Sequence, residues 1–233
     1  LKNQQTKEFF MFGFEHRVTG SIADVFNNTH GYYDGNLHHY ARIVFSAPNI
    51  HHGYHGLRHM LHVTWICYQA CDYYSRLGQM TKREVRNLLI AALFHDYGHQ
   101  GRPGNDGANI ALAVEAMEMH LTPKDRSQGG EIGMIIRATE FPHSDLGSSM
   151  SLLQAVIRDA DMSQAFGVSW IGDICAGFGS ELGKTPVQML EQQRKFLENL
   201  HFSSDFGRVF FGQAAVDAKE GETLELLKIL DPD

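Results

Sequence analysis

Apolar residues recur at helical spacing through most of the 233 residues. The sharpest example follows Thr81, where Val85, Leu88, Leu89, Ala92 and Leu93 form an i, i+3, i+4 stripe. That spacing belongs to a helix burying one face. Glu84, three residues after Thr81, completes a capping box, so the pattern predicts the start of this helix as well as its buried side. It should end near His95-Asp96, just before Gly98. Further helices are predicted over residues 7–28 (one or two), 57–77, 108–121, 131–138, 149–157, 168–178, 186–200 and 223–230. Residues 31–53, rich in His, Tyr, Asn and Gly, read as irregular, and 100–107, with three glycines and a proline, as a loop. Pro123 opens another turn. No hairpin dipeptide lies between alternating apolar residues, and there is no series of short β-branched runs. The expected class is all-α.

Composition narrows this further. Hydrophobic residues make up 43% and charged residues 20%, which suits a globular chain with a full core. Neither a linker nor an internal repeat stands out, so one domain spanning 1–233 is expected. The longest aliphatic stretch covers 88–94, far short of the ~20 residues that cross a bilayer. Residues 1–5 are polar, without a signal-peptide core. Cys67, Cys71 and Cys175 are odd in number and form no C-x-x-C, which suggests a reducing, cytoplasmic setting. The net charge of -7 argues against a nucleic-acid polymer as partner. An anionic substrate would need metal ions and local arginines to reverse the sign of the pocket.

Histidine is the unusual count, with 14, several of them clustered. An apolar helix running into adjacent His95 and Asp96 offers one neutral nitrogen and one charged oxygen, a mix suited to zinc, manganese or iron. His55 and His59, four apart, share a helix face. Downstream, Asp159 and Asp161 compete to close such a site, and either would also serve as a helix cap. No G-x-S-x-G is present, and no cysteine is convincingly placed for nucleophilic catalysis.

Four blocks carry a resemblance. Tyr54-His55-x-x-x-His59 resembles the Y-H-N-x-x-H opening of class I cyclic nucleotide phosphodiesterase catalytic domains, with Gly56 in place of the Asn. His95-Asp96-x-x-His99-x-Gly101 resembles their H-D-x-x-H-x-G, although the following loop is one residue longer here. Ala138-Thr139-Glu140 with His143 is similar to A-T-D-M and its trailing His, and Ala160-Asp161-Met162-Ser163 to A-D-L-S. The order is the same, and the chain resembles the wider HD metal-phosphohydrolase superfamily.

The resemblance implies a compact multi-helix fold of the HD, phosphodiesterase-like type, with the metal site within 54–163 and helices of 164–233 completing the pocket. It implies two divalent ions (Zn, Mn, Mg or Fe), the tighter held by His59, His95, Asp96 and Asp161. A metal-bridged hydroxide would attack phosphorus, with His55 as general acid and Asp96 and His99 beside the second ion. Glu115, with Glu118 as its rival, and His143 would lie in the shell of that ion. Tyr54, Arg58 and Arg102 would meet substrate. The family's purine-clamping Gln and Phe find only Gln213, followed by Ala214, Ala215 and Val216. The expected partner is a small, nucleotide-like phosphate ester, with a homodimer left open. Two other readings are an HD-type di-iron oxygenase, with His99 and His143 as extra ligands, and a non-catalytic nucleotide-sensing module.

Overall fold

The computed structural model describes residues 20–102, 104, 106–143 and 149–230. Among them the regular elements are α1 (Ile22–Asn27), α2 (His38–Val44), α3 (Leu57–Arg76), α4 (Lys82–Phe94), α5 (Asp106–His120), α6 (Gly129–Arg137), α7 (Leu152–Met162), α8 (Gly179–Leu182), α9 (Pro186–Glu198), α10 (Asp205–Phe210) and α11 (Gln213–Leu230). Short 3-10 turns cover Arg126–Gln128 and Ser163–Phe166, and a π-helix, Ile171–Phe178, runs directly into α8. The class is all-α, with no strand among the described residues. None of their helices is long and apolar enough to cross a membrane.

Helix α4 opens as its sequence predicts. The Thr81 hydroxyl accepts from the Glu84 amide, and the Glu84 carboxylate accepts from the Thr81 amide. Its burial is broader than the predicted stripe, because every residue from Val85 to Phe94 is buried. Helices α2, α3, α5, α6 and α7 all pack on it, so no side is left to solvent. Burying Leu88, Leu89, Ile90 and Leu93 contributes roughly 1.5–3 kcal/mol for each side chain.

Buried polar groups on α4 need partners. Arg86 finds Asp125 through two parallel hydrogen bonds of 2.7 Å, and Asp125 also accepts from the hydroxyls of Tyr40 at 2.7 Å and Thr122 at 2.8 Å. This knot ties α2 and α4 to the α5–α6 connection.

Several boundaries differ from the sequence reading. The stretch 31–53 contains α2, whose buried Tyr40 and Val44 lie four apart beneath a polar run that hides them. Most of the predicted 7–28 helix lies outside the described residues; within them, α1 covers its end. Helix α11 is longer than 223–230 because it buries only Val216 and Thr223, too few for a visible period. The expected 168–178 helix is largely π-helical, and α10 has no counterpart in the reading.

Asp159 and Asp161 separate cleanly. Two residues apart on α7, they point about 160° from one another. Asp159 is fully buried and accepts from the amides of Ser203 and Ser204 at 2.8 and 2.7 Å and from the Ser204 hydroxyl at 2.6 Å. It anchors the start of α10. Removing it in Asp159→Ala strands these donors, and an unfolding free energy lower by about 2–3 kcal/mol is expected in urea titration. A loss under 0.5 kcal/mol would show that water replaces the carboxylate.

Candidate metal centre

Three elements converge at one end of α4. His59 comes from the first turn of α3, His95 and Asp96 from the end of α4, and Asp161 from the last turn of α7. As adjacent residues, His95 and Asp96 can face one point only because α4 stops there, so Asp96 leaves the helical register.

The distances suit a shared cation. His59 Nε2 lies 2.8 Å from Asp161 Oδ1 and 3.5 Å from Asp96 Oδ2. His95 Nε2 lies 3.5 Å from Asp96 Oδ2 and 3.7 Å from Asp161 Oδ1. Donors held about 2.1 Å from one ion sit about 3.0 Å apart in octahedral and about 3.4 Å apart in tetrahedral geometry. His95 Nε2 and Asp96 Oδ2 are buried and lack a hydrogen-bond partner, which is costly for polar atoms unless an ion satisfies them. The outer nitrogens are engaged: His59 Nδ1 meets Gln164 Oε1 at 2.6 Å, and His95 Nδ1 meets the Ala92 carbonyl at 2.8 Å. Such contacts turn the Nε2 atoms toward a metal. The residues therefore fit a divalent cation.

Electrostatics point the same way. Burial pushes the His59 imidazole down, yet its hydrogen bond to Asp161 and the charges of Asp161 and Asp96 outweigh this and lift it to about 9. Burial pushes Asp161 up, but His59, then His95 and His143, bring it down to about 2. The cluster draws positive charge, which either a proton on His59 or a metal can supply.

Beside the cluster lies a cavity of about 370 Å³. His55 stands at its edge, with its Nδ1 2.5 Å from Glu181 Oε2. Glu181 Oε1 also accepts from the amides of Tyr54 at 2.6 Å and His55 at 3.1 Å. Burial would raise the Glu181 carboxyl, but the bond and charge of His55 and the two amides hold it at about 2. His55 stacks on His99 with ring centroids 3.7 Å apart, and Tyr54 stacks between His59 and Phe178, 4.7 Å from each. His55, His99 and Glu181 form a second set of donors close enough for an ion. Their atoms are already committed: His55 to Glu181, and His99 to the Gly101 amide and the Asn109 side chain, each at 3.0 Å.

The remaining expected residues divide. Arg102 lines the cavity. His143 Nε2 is buried without a hydrogen-bond partner, and burial pushes its imidazole below the ordinary range. Arg58 turns away, exposed, and pairs with Asp173 at 2.9 Å, because its neighbour His59 occupies the inward direction. Glu115 and Glu118 are exposed, since α5 turns Ala113, Val114, Ala116 and Met117 to the core. The acidic residue of α5 that reaches the site is Asp106, 3.8 Å from His99 Nε2. Gln213 is exposed on α11 and donates to Asp217.

Glu181, Asp106, Gln164, Gln193 and Phe196 were missed in the sequence reading. Gln193 and Phe196, one turn apart on α9, both line the cavity, and Gln193 Nε2 is buried without a partner. Their Gln-x-x-Phe spacing is the signal the sequence holds for them. Glu181 left none, since its role depends on a partner 126 residues away. No protein-family model and no curated protein matches this sequence.

Proposed function

We propose that the chain is a metal-dependent phosphohydrolase of the HD type acting on a small, nucleotide-like phosphate ester. The observation that carries this reading is the convergence of His59, His95, Asp96 and Asp161 with His95 Nε2 and Asp96 Oδ2 buried and unpaired. These four side chains would hold the tighter ion, and Asp96 is the residue a second, weaker ion would share. Bound divalent cations supply Lewis acidity and a water acidified toward neutral pH.

The chain's own groups do the rest. Glu181 stays ionised and fixes the His55 ring through Nδ1, leaving the far side of the ring to hand a proton to a departing oxygen. Arg102 and Lys184, at the cavity wall, offset substrate charge. Phe178, Ile174, Met189 and Phe196 supply an apolar wall for a flat ring, with the Gln193 amide as a donor to its edge. The volume suits a single small molecule and not a polymer.

The test is elemental analysis of the purified protein, followed by assay of the Mn²⁺- or Zn²⁺-loaded form on a panel of phosphomonoesters, diesters and cyclic nucleotides. One tightly held equivalent, a weaker second and turnover of at least one ester are expected; a metal-loaded protein inert on the whole panel would rule the reading out. Glu181→Gln should reduce kcat ~10²-fold while leaving the metal content unchanged. Wild-type kcat in that variant would remove His55 as proton donor. The oxygenase reading draws less support, because both ring nitrogens of His99 are already engaged.

A further inference from the structure

The π-helix and α8 carry part of the cavity wall, Ile174 and Phe178, together with Glu181. Helices of the π type are rare and concentrate at functional sites. This one meets the segment bearing Tyr54 and His55 backbone to backbone. A Cβ on Gly177 would lie 2.8 Å from the Gly53 carbonyl carbon, closer still to its oxygen, and 3.5 Å from the Tyr54 amide nitrogen. In return, a Cβ on Gly53 would lie 3.0 Å from the Gly177 Cα. No side chain fits between these backbones. On the opposite side, a Cβ on Gly179 would press on Met189 of α9 at 3.0 Å, so the segment is held from both sides and cannot simply retreat.

Building on the phosphohydrolase reading, we propose that the Gly53–Gly177 backbone contact is a positioning device that sets the Glu181–His55 pair. Glu181 follows Gly177 by four residues and makes three hydrogen bonds to Tyr54 and His55, the two residues after Gly53. Forcing the backbones apart by about 0.5 Å uses up the whole positional tolerance of a catalytic group. The 2.5 Å contact between Glu181 and His55 stretches first. The metal cluster draws its ligands from α3, α4 and α7, none of which carries Gly53 or Gly177. Gly172, in the same π-helix, has open space at its Cβ and serves as the control.

The experiment compares Gly177→Ala, Gly53→Ala and Gly172→Ala in the full chain loaded with Mn²⁺. Two readouts are used: kcat and KM on an ester that the wild type turns over, and the downfield proton NMR resonance of His55 Nδ1–H, assigned by its loss in Glu181→Gln. Gly177→Ala is expected to lose the resonance and ~10- to 100-fold in kcat, with a smaller change in KM and unchanged metal content. Gly53→Ala should move the same way, more mildly, and covers the case in which Gly177→Ala does not fold. Gly172→Ala should match the wild type. Gly177→Ala combined with Glu181→Gln should be no slower than Glu181→Gln alone, since both act on one contact. A retained resonance, a rise in KM at constant kcat, multiplying losses in the double variant, or equal losses in Gly172→Ala would each overturn the proposal. If the wild type turns over no ester, the phosphohydrolase reading fails, while the resonance still decides whether the glycines position Glu181.

Discussion

Asp96→Ala is expected to abolish tight metal binding and lower phosphate-ester turnover by at least ~10³-fold, without unfolding the metal-free protein. Asp96 Oδ2 is equidistant, at 3.5 Å, from both imidazole Nε2 atoms and has no hydrogen-bond donor of its own. Removing it takes away one of the two carboxylates that the described residues bring to the cluster. In the metal-free protein the same carboxylate is a burden, because it is buried near Asp161 without a hydrogen-bond donor. The metal-free variant should therefore melt at the wild-type temperature or slightly above it. Added Mn²⁺ or Zn²⁺ at a hundredfold excess over Kd stabilises the wild type by about 2.7 kcal/mol and should leave the variant unmoved. Comparing thermal melts with and without metal checks this. A variant that is stabilised by metal as strongly as the wild type would remove Asp96 from the ligand set.

The largest effect on stability should come from Asp125→Ala, with an expected loss of about 3–5 kcal/mol. Asp125 is fully buried and Arg86 nearly so, so deleting the carboxylate strands a guanidinium on the central helix and unpairs Tyr40 and Thr122. Burial would raise the Asp125 carboxyl, but hydrogen bonds from Arg86, Tyr40 and Thr122 hold it at about 2. A depressed carboxylate stabilises the fold above its unfolded value of 3.8 and loses that contribution as pH falls through about 2. The share at stake is about 2 kcal/mol. Urea midpoints measured from pH 5 to pH 2 should fall more steeply in the wild type than in Asp125→Asn. Parallel slopes, or a loss below 1 kcal/mol in Asp125→Ala, would show that the knot is not the fastening described.

Helices with a local signature were legible in the chain. Thr81 and Glu84 marked the start of α4, Pro186 opens α9 where expected, and the 57–77 stretch ends within a residue of α3. Helix α2 was not legible, because two buried residues in a run of histidines leave no stripe, and α11 showed only its last two turns for the same reason. The π-helix was read as an ordinary helix, since the apolar run from Ile171 to Phe178 is compatible with either.

For the site, motif order along the chain picked out the four residues that converge, because each block keeps its chemistry within a few neighbouring positions. Direction and partnership came from packing. Asp161 and Asp159 are chemically alike and two residues apart, and only the rotation of α7 sends one to the cluster and the other to the amides of α10. Arg58 and Glu115 bear suitable charges, but each shares a helix turn with residues that take the inward face. Glu181 and the glycine pair beside it acquire meaning only where segments more than 120 residues apart touch. Sequence alone determined that this protein is all-α and which of its side chains offer metal-ligating donors, since propensity and donor type are local properties. Tertiary structure decided which of those side chains meet and what holds them there, since contact between distant segments depends on how whole helices pack.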